Sequence, residues 1–379
     1  MRRRSFLRST LSSLSAGLAL SGVQRKEPQA SLQARVSPLP PSPLQAKPKI
    51  RVRSASESDS FEYYQVAEGV FSAISKEGAP AIGSNAAIIV GDESVLVVDT
   101  HMRPSAARDV LEHLKLITPL PVHYVVNSHF HNDHTQGNQA YFNSFPRGVE
   151  CVAHTNTRRD IVRKAMPRVH EQLKSLPAQI NELKQKLAAA VDKEERVRLK
   201  GQLEANRAYL EELRSIDITL PTLTFDRSLW LHRSPDISLH YFGPGHTAGD
   251  VVLLLPKERL LICGDLFLGP HIPYAADSFP SQWPKTLQQI AQLDFDQVML
   301  GHTPVVRGDQ ARAELVRLIA FMADVVTQVT EMVRARKTLE SVKAGLDLQK
   351  FRGEFANWET HSGIFIERAY AEAIGKAEE

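Results

Sequence analysis

The segment His129-Phe130-His131-Asn132-Asp133-His134 puts three imidazoles and a carboxylate within six residues, directly after the apolar run Val122–Asn127. Imidazole nitrogen and carboxylate oxygen together suit zinc, and also iron or manganese. The lack of thiolates in this segment speaks against a structural cysteine-type zinc site. In a loop at a strand end, alternate residues such as His129 and His131 converge on one ion, while Asp133 and His134 turn toward a second. Three later segments share one form, an apolar strand running into a glycine-framed polar residue. They present His246 after Gly243-Pro244-Gly245, Asp265 after Cys263-Gly264, and His302 after Leu300-Gly301. Glycine beside each lets the backbone turn sharply or approach closely. Two divalent ions about 3.5 Å apart hold a shared water and bring its pKa near neutrality, so the expected chemistry is hydroxide attack on a carbonyl or phosphoryl centre. Asp133 is both ligand and nearest carboxylate, and is the candidate catalytic residue that orients the water or shuttles its proton.

The four segments, spaced by 112, 19 and 37 residues from His134 to His246, Asp265 and His302, resemble the metallo-β-lactamase superfamily of metal-dependent hydrolases. The resemblance covers roughly Phe61 to Gly308 apart from a helical insertion, and implies an α/β fold, a four-layer αββα sandwich. It implies that His129, His131 and His246 hold a first metal, that Asp133, His134 and His302 hold a second, and that Asp265 bridges them, with two Zn2+ as the cofactors. Asp99, ending the strand Val95–Val98, matches the family's early aspartate, which supports the ligand loop without binding metal. The bridging aspartate is similar to that of hydroxyacylglutathione hydrolases and related thioesterases, although their glutathione-binding residues have no match here. In β-lactamases with a cysteine ligand, that cysteine stands where Asp265 is, and a lysine follows three residues later, where this chain has Leu268. The expected function is hydrolysis of an ester, thioester, lactone or amide carbonyl in a small molecule. The alternatives are a β-lactamase and a di-iron redox or non-hydrolytic binding protein.

The elements that must position these groups are short. Ala86–Val90 and Val95–Val98 read as a hairpin, Val110, Leu111, Leu114 and Ile117 as one face of a helix opened by Pro104, and Leu239–Phe242, Val251–Leu255, Leu260–Cys263 and Val298–Leu300 as further strands. Strands alternating with helices argue for chemistry on loops at strand ends. Ile180, Leu183, Leu187 and Val191, then Leu199, Leu203, Leu210 and Leu213, recur at helical spacing. Asp192-Lys193-Glu194-Glu195 between them reads as a capping box. The expectation is a helical hairpin of about 40 residues inside an insertion spanning 157–216, serving as a lid or as the arm of a homodimer. Residues 311–379 read as a helical C-terminal region. Asn127, Gln136, Asn138, His271, Tyr274 and Trp283 are candidates for the surroundings of the site, and the two cysteines, Cys151 and Cys263, are expected as buried free thiols.

The charge is uneven. Residues 1–53 hold eleven Lys/Arg and one acid, leaving 35 basic and 42 acidic residues in the rest, a net −7 that argues against nucleic acid as partner. Arg3-Arg4-Ser5-Phe6-Leu7, followed by a mildly apolar run to Val23, resembles the twin-arginine export signal of bacteria. The expectation is a signal peptide over 1–26, periplasmic or secreted localisation, and no stable membrane anchor, because the run is too short and polar to span a bilayer. Pro28, Pro38, Pro40, Pro41, Pro43 and Pro48 make 27–60 a linker, with the hydrolase domain over 61–310.

Overall fold

The strand β4 (Val95–Val98) has all four side chains buried, because the pleat sends alternate residues to two different cores. Val95 and Val97 join one core with Ile88 and Val125, while Leu96 and Val98 join another with Ile89 and Val126. In the computed structural model this strand sits in the middle of a seven-stranded sheet, β1 (Phe61–Ala67), β2 (Val70–Ser75), β3 (Ala86–Val90), β4, β5 (Val122–Val126), β6 (Glu150–His154) and β7 (Leu223–Phe225), in that order. Pairing is antiparallel from β1 to β4 and parallel from β4 to β7. The second sheet has six strands, β8 (Ser228–His232), β9 (Asp236–His240), β10 (Val252–Leu255), β11 (Leu260–Ile262), β12 (Gln297–Met299) and β13 (Val306–Arg307). Its one parallel pair is β11 with β12. The structure describes residues 58, 60–76, 83–146, 148–232 and 235–376, all within one compact unit of the chain, residues 42–379. The expected signal peptide, and all of the linker but Ser58 and Ser60, lie outside the described residues. Among them no helix is long and apolar enough to cross a membrane.

The two sheets face each other across Val70, Ile89, Leu96, Val126, Leu239, Leu253, Leu255 and Leu260. The outer face of the first sheet is covered by α1 (Pro104–Ile117), through Ala106, Val110, Leu111 and Leu114. The ligand loop carries the single turn α2 (Asn132–Thr135) and α3 (Asn138–Ser144), whose Tyr141 joins the same core. The outer face of the second sheet is covered by α7 (Trp283–Ile290), α8 (Gly308–Arg334) and α10 (Trp358–Ala373), with the short α9 (Leu339–Gly345) beside them. Leu315, Leu318, Phe321, Met322 and Phe365 pack there with Val252, Leu261 and Val298. The chain is therefore the four-layer αββα sandwich, and the helical C-terminal residues supply its fourth layer. The β1–β2 hairpin has no counterpart in the sequence reading; it turns at Glu68-Gly69, where the glycine takes a left-handed φ of 68°.

The insertion is longer in its first arm than the leucine spacing suggests. Helix runs from α4 (Thr155–Asp160) through a π-helical turn, Ile161–Ala165, into α5 (Met166–Ala189), and returns as α6 (Lys193–Arg214). Pro167 at the start of α5 and Pro177 inside it disguise the pattern. Asp192 caps α6, its carboxylate accepting the Glu195 N–H at 2.7 Å. The arms pack on Val169, Leu176, Ile180, Leu203, Leu210 and Leu213.

Candidate metal centre

Every predicted ligand leaves the sandwich at one end, where strands stop. The loop after β5 carries His129 to His134. The turn between β9 and β10 carries His246, that after β11 carries Asp265, and that after β12 carries His302. Backbone and amide bonds tie these ends together: Asn85 N–H donates to the Gly301 carbonyl at 2.7 Å, its side-chain amide to the Leu300 and Thr303 carbonyls at 2.9 Å, and Val251 N–H to the Ser128 carbonyl at 2.8 Å. Asp99 does what its position implied. Its Oδ1 accepts the Ser128 N–H at 2.8 Å, and its Oδ2 accepts the Ser128 hydroxyl and His134 Nδ1, both at 2.8 Å. To do so it adopts a left-handed φ of 64°, a conformation aspartate tolerates better than most residues. Asn127 and Asn138 bond amide to amide, and Asn127 Nδ2 also donates to the His134 carbonyl at 3.1 Å, so both brace the loop. Gly264, at φ 50°, lets the backbone leading into Asp265 pass close to Ser128; a Cβ there would lie 2.6 Å from the serine hydroxyl.

Two donor sets result. In the first, His131 Nδ1 stands 3.0 Å from both His129 Nε2 and His246 Nε2. In the second, His302 Nε2 stands 3.4 Å from His134 Nε2 and 3.3 Å from Asp133 Oδ2, which is itself 3.5 Å from His134 Nε2. Asp265 lies between the sets. Its Oδ2 is 3.0 Å from His302 Nε2 and 3.6 Å from His246 Nε2, and its Oδ1 is 3.6 Å from His134 Nε2.

The outward-facing partners settle which ring nitrogens carry protons. His131 Nε2 donates to Asp277 Oδ2 at 2.9 Å, and His134 Nδ1 donates to Asp99. The Ser128 hydroxyl, its proton committed to Asp99, accepts from His129 Nδ1 at 3.0 Å. In the first set the nitrogens facing inward, His129 Nε2 and His131 Nδ1, are therefore lone pairs aimed at each other. Such an arrangement is repulsive until a cation sits among them. Asp265 Oδ1 is buried and takes no hydrogen bond among the described residues, a second sign that a cation completes the cluster. The donors fit divalent metal, borderline nitrogen on one side and mixed nitrogen and oxygen on the other.

Charge divides the two sets in the same way. Burial, and then the neighbouring imidazoles, hold His129 far below the ordinary histidine range and His246 down at about 3, so these two rings are neutral. In the second, burial opposes the charged form, but Asp265 and Asp133 overcome it and push His302 up to about 10.

Over the donors opens a cavity of about 450 Å³, floored by His131, Asp133, His246, Asp265 and His302 and walled by Leu268, His271, Ile272, Tyr274, Thr303, Asn357 and His361. His271 and Tyr274 thus border the site. Trp283 does not: it is fully buried, donating Nε1–H to the Leu266 carbonyl at 3.1 Å, its ring 5.6 Å from that of His246. Gln136 is buried under the loop, its Oε1 3.4 Å from the Tyr209 hydroxyl. Cys151 and Cys263 are free and buried. Four residues escaped the sequence reading. His361 and Asn357 reach the wall from the far C-terminal layer. Asp277 holds His131, and Arg168 holds Asp277. Asp277 stands between Tyr274 and Trp283, two of the candidates already named, which was the one signal available for it.

The chain belongs to the metallo-beta-lactamase superfamily, whose sequence profile matches residues 79–302, more than half of its length. Among curated proteins it is similar to the 2,4-dinitroanisole O-demethylase subunit alpha of Nocardioides sp. (strain JS1661), 27% identical over 216 residues, which is 56% of this chain and 51% of that one. The chain thus spans about half the length of this relative. Among solved structures it is similar to a metallo-beta-lactamase from Pontibacter korlensis, with 18% identity, a TM-score of 0.50, and coverage of 69% of this chain and 99% of that one. A second, from Erythrobacter litoralis with beta mercaptoethanol in the active site, is 14% identical at a TM-score of 0.49, covering 70% of this chain and 98% of that one.

Proposed function

We propose that this chain is a two-metal hydrolase, most simply a zinc enzyme, that cleaves an ester, thioester, lactone or amide carbonyl in a small molecule. The observation that carries the reading is the pair of convergent donor sets joined through Asp265 at the floor of an open cavity. His129, His131 and His246 would hold one ion, Asp133, His134 and His302 the other, and Asp265 both. Bound there, divalent ions supply Lewis acidity and a water acidic enough to attack at neutral pH. The protein's own part is to place groups. Asp99, Asn127 and Asn138 keep the donor loop rigid. Asp133, a partly exposed carboxylate on the cavity floor, orients the attacking water and receives its proton. Leu268, Ile272 and Tyr274 give the substrate an apolar wall, and the cavity volume suits a molecule of modest size.

A second reading is cleavage of an activated aryl methyl ether by water. The likeness to the 2,4-dinitroanisole O-demethylase subunit favours it, as does the aromatic pair Tyr274–His361, whose ring centroids lie 6.2 Å apart at the cavity wall. One panel tests both. Purified protein, analysed for metal, is assayed on nitrocefin, thioesters, lactones, bis-aryl phosphodiesters and nitroaryl methyl ethers. About two divalent ions per chain and turnover of a carbonyl substrate are expected, and His131→Ala and Asp265→Ala abolish it. Full turnover by metal-free protein would overturn the reading, and turnover of the ethers alone would replace it with the second.

A further inference from the structure

Among the described residues lining the cavity, none comes from the inserted hairpin. The hairpin meets the ligand loop instead. Phe130, between two of the donors, is buried against Ile161 and Ala165, with the Arg168 guanidinium 5.4 Å and the Lys164 ammonium 5.7 Å from its ring centroid. Arg168, in the first turn of α5, extends its Nη2 to Asp277 Oδ1 at 2.7 Å, and the other oxygen of that carboxylate takes His131 Nε2 at 2.9 Å. Asp277 is 8% exposed, so its carboxylate is shielded from water, whereas the Arg168 side chain is 44% exposed.

We infer that the hairpin is a brace for the first metal position, with Arg168 and Asp277 as positioning residues that hold the His131 ring with Nδ1 turned toward His129 and His246. The chemistry follows from the ring. Nδ1 is available as a donor only while the proton sits on Nε2, and the Asp277 carboxylate keeps it there and makes the donor more basic. The carboxylate can do this only in one orientation, because both of its oxygens are engaged, one by the ring and one by the guanidinium. Arginine suits that role, since its planar fork fixes direction as well as charge. Neither a lid nor a dimer arm requires these contacts.

The inference rests on the metal-centre reading, and the test separates the two. Full-length wild type, Arg168→Ala, Arg168→Lys, Asp277→Asn and the Arg168→Ala/Asp277→Asn double variant are titrated with Zn2+ against a chromophoric chelator, and the melting temperature of each metal-free form is recorded. Arg168→Ala is expected to weaken one of two ions by about tenfold and leave the other unchanged. Arg168→Lys should recover part of the loss, and the double variant should be no worse than Asp277→Asn alone, as for residues acting in series. Glu212→Gln, which loosens the hairpin's hold on Ser105 and Arg103 without touching Asp277, should lower the melting temperature and leave both affinities unchanged. Wild-type affinities in Arg168→Ala would overturn the brace, as would equal weakening of both ions together with a lower metal-free melting temperature. A wild type that binds no divalent ion would overturn the underlying reading instead.

Discussion

At Gly301 the backbone passes so close to the bridging carboxylate that a Cβ would lie 2.0 Å from Asp265 Oδ1 and 3.1 Å from His134 Cε1. Asp265 has little room to yield, since its other oxygen already faces His302 and His246. Gly301→Ala should therefore displace the carboxylate from between the two donor sets. The expected result is a loss of metal affinity and turnover of roughly a hundredfold, the upper range for disturbing the surroundings of metal ligands. Metal analysis after dialysis, beside the kinetic assay, checks it. Single residues also mark what the sequence could disclose. The His129–His134 group was legible because its four donors fall within six residues and follow an apolar strand. The partner of His131 was not, since Asp277 lies 146 residues away in sequence and Arg168, between the two, stands 109 residues before Asp277, each in a segment with no periodic pattern of its own.

Among the elements, the hairpin combines two ends of different standing. Its outer end is exposed, and there Asp192 accepts the Glu195 N–H at the start of α6. Its inner end is tied down by Glu212, which takes the Ser105 N–H at 2.9 Å and hydroxyl at 2.7 Å and pairs with Arg103 Nε at 2.7 Å, the two side chains being only 20% and 8% exposed. Asp192→Ala should cost about 1 kcal/mol, the usual price of a lost cap, and leave activity alone. Glu212→Ala should cost about 3 kcal/mol, because it removes the charge-assisted contacts to Ser105 and Arg103 together. Urea denaturation of the two variants checks the ranking, and equal costs would contradict it. The same contrast explains why the hairpin was legible in part. Its leucine stripe follows helical spacing, so the pair of helices reads out directly. Its docking onto α1 and the ligand loop depends on polar contacts between distant segments, which leave no periodicity. The C-terminal helices were similarly visible as helices, but not as the layer that brings His361 to the cavity.

For the molecule as a whole, the donor cluster works against folding as long as no cation occupies it. Five histidines and two carboxylates converge at one end of the sandwich, with inward lone pairs opposed at 3.0 Å in the first set and Asp265 Oδ1 buried without a hydrogen bond. The folded state creates this arrangement and the unfolded chain does not, so metal binding and global stability are linked. An ion at a hundred times its Kd stabilises the fold by roughly 2.7 kcal/mol. For a unit spanning residues 42–379 that corresponds to a melting-temperature shift of about 4 °C per ion. Chelation should thus lower the melting temperature by that amount or more, and Zn2+ should restore it. His131→Ala, which removes one donor from the first set and leaves the second intact, should respond to Zn2+ by about half the wild-type shift while melting higher than wild type when metal-free, since it relieves part of the lone-pair repulsion. Calorimetry with and without chelator measures both differences. A wild-type melting temperature indifferent to chelation would mean that the convergent nitrogens are satisfied by protons alone, and the two-metal reading would fall with it.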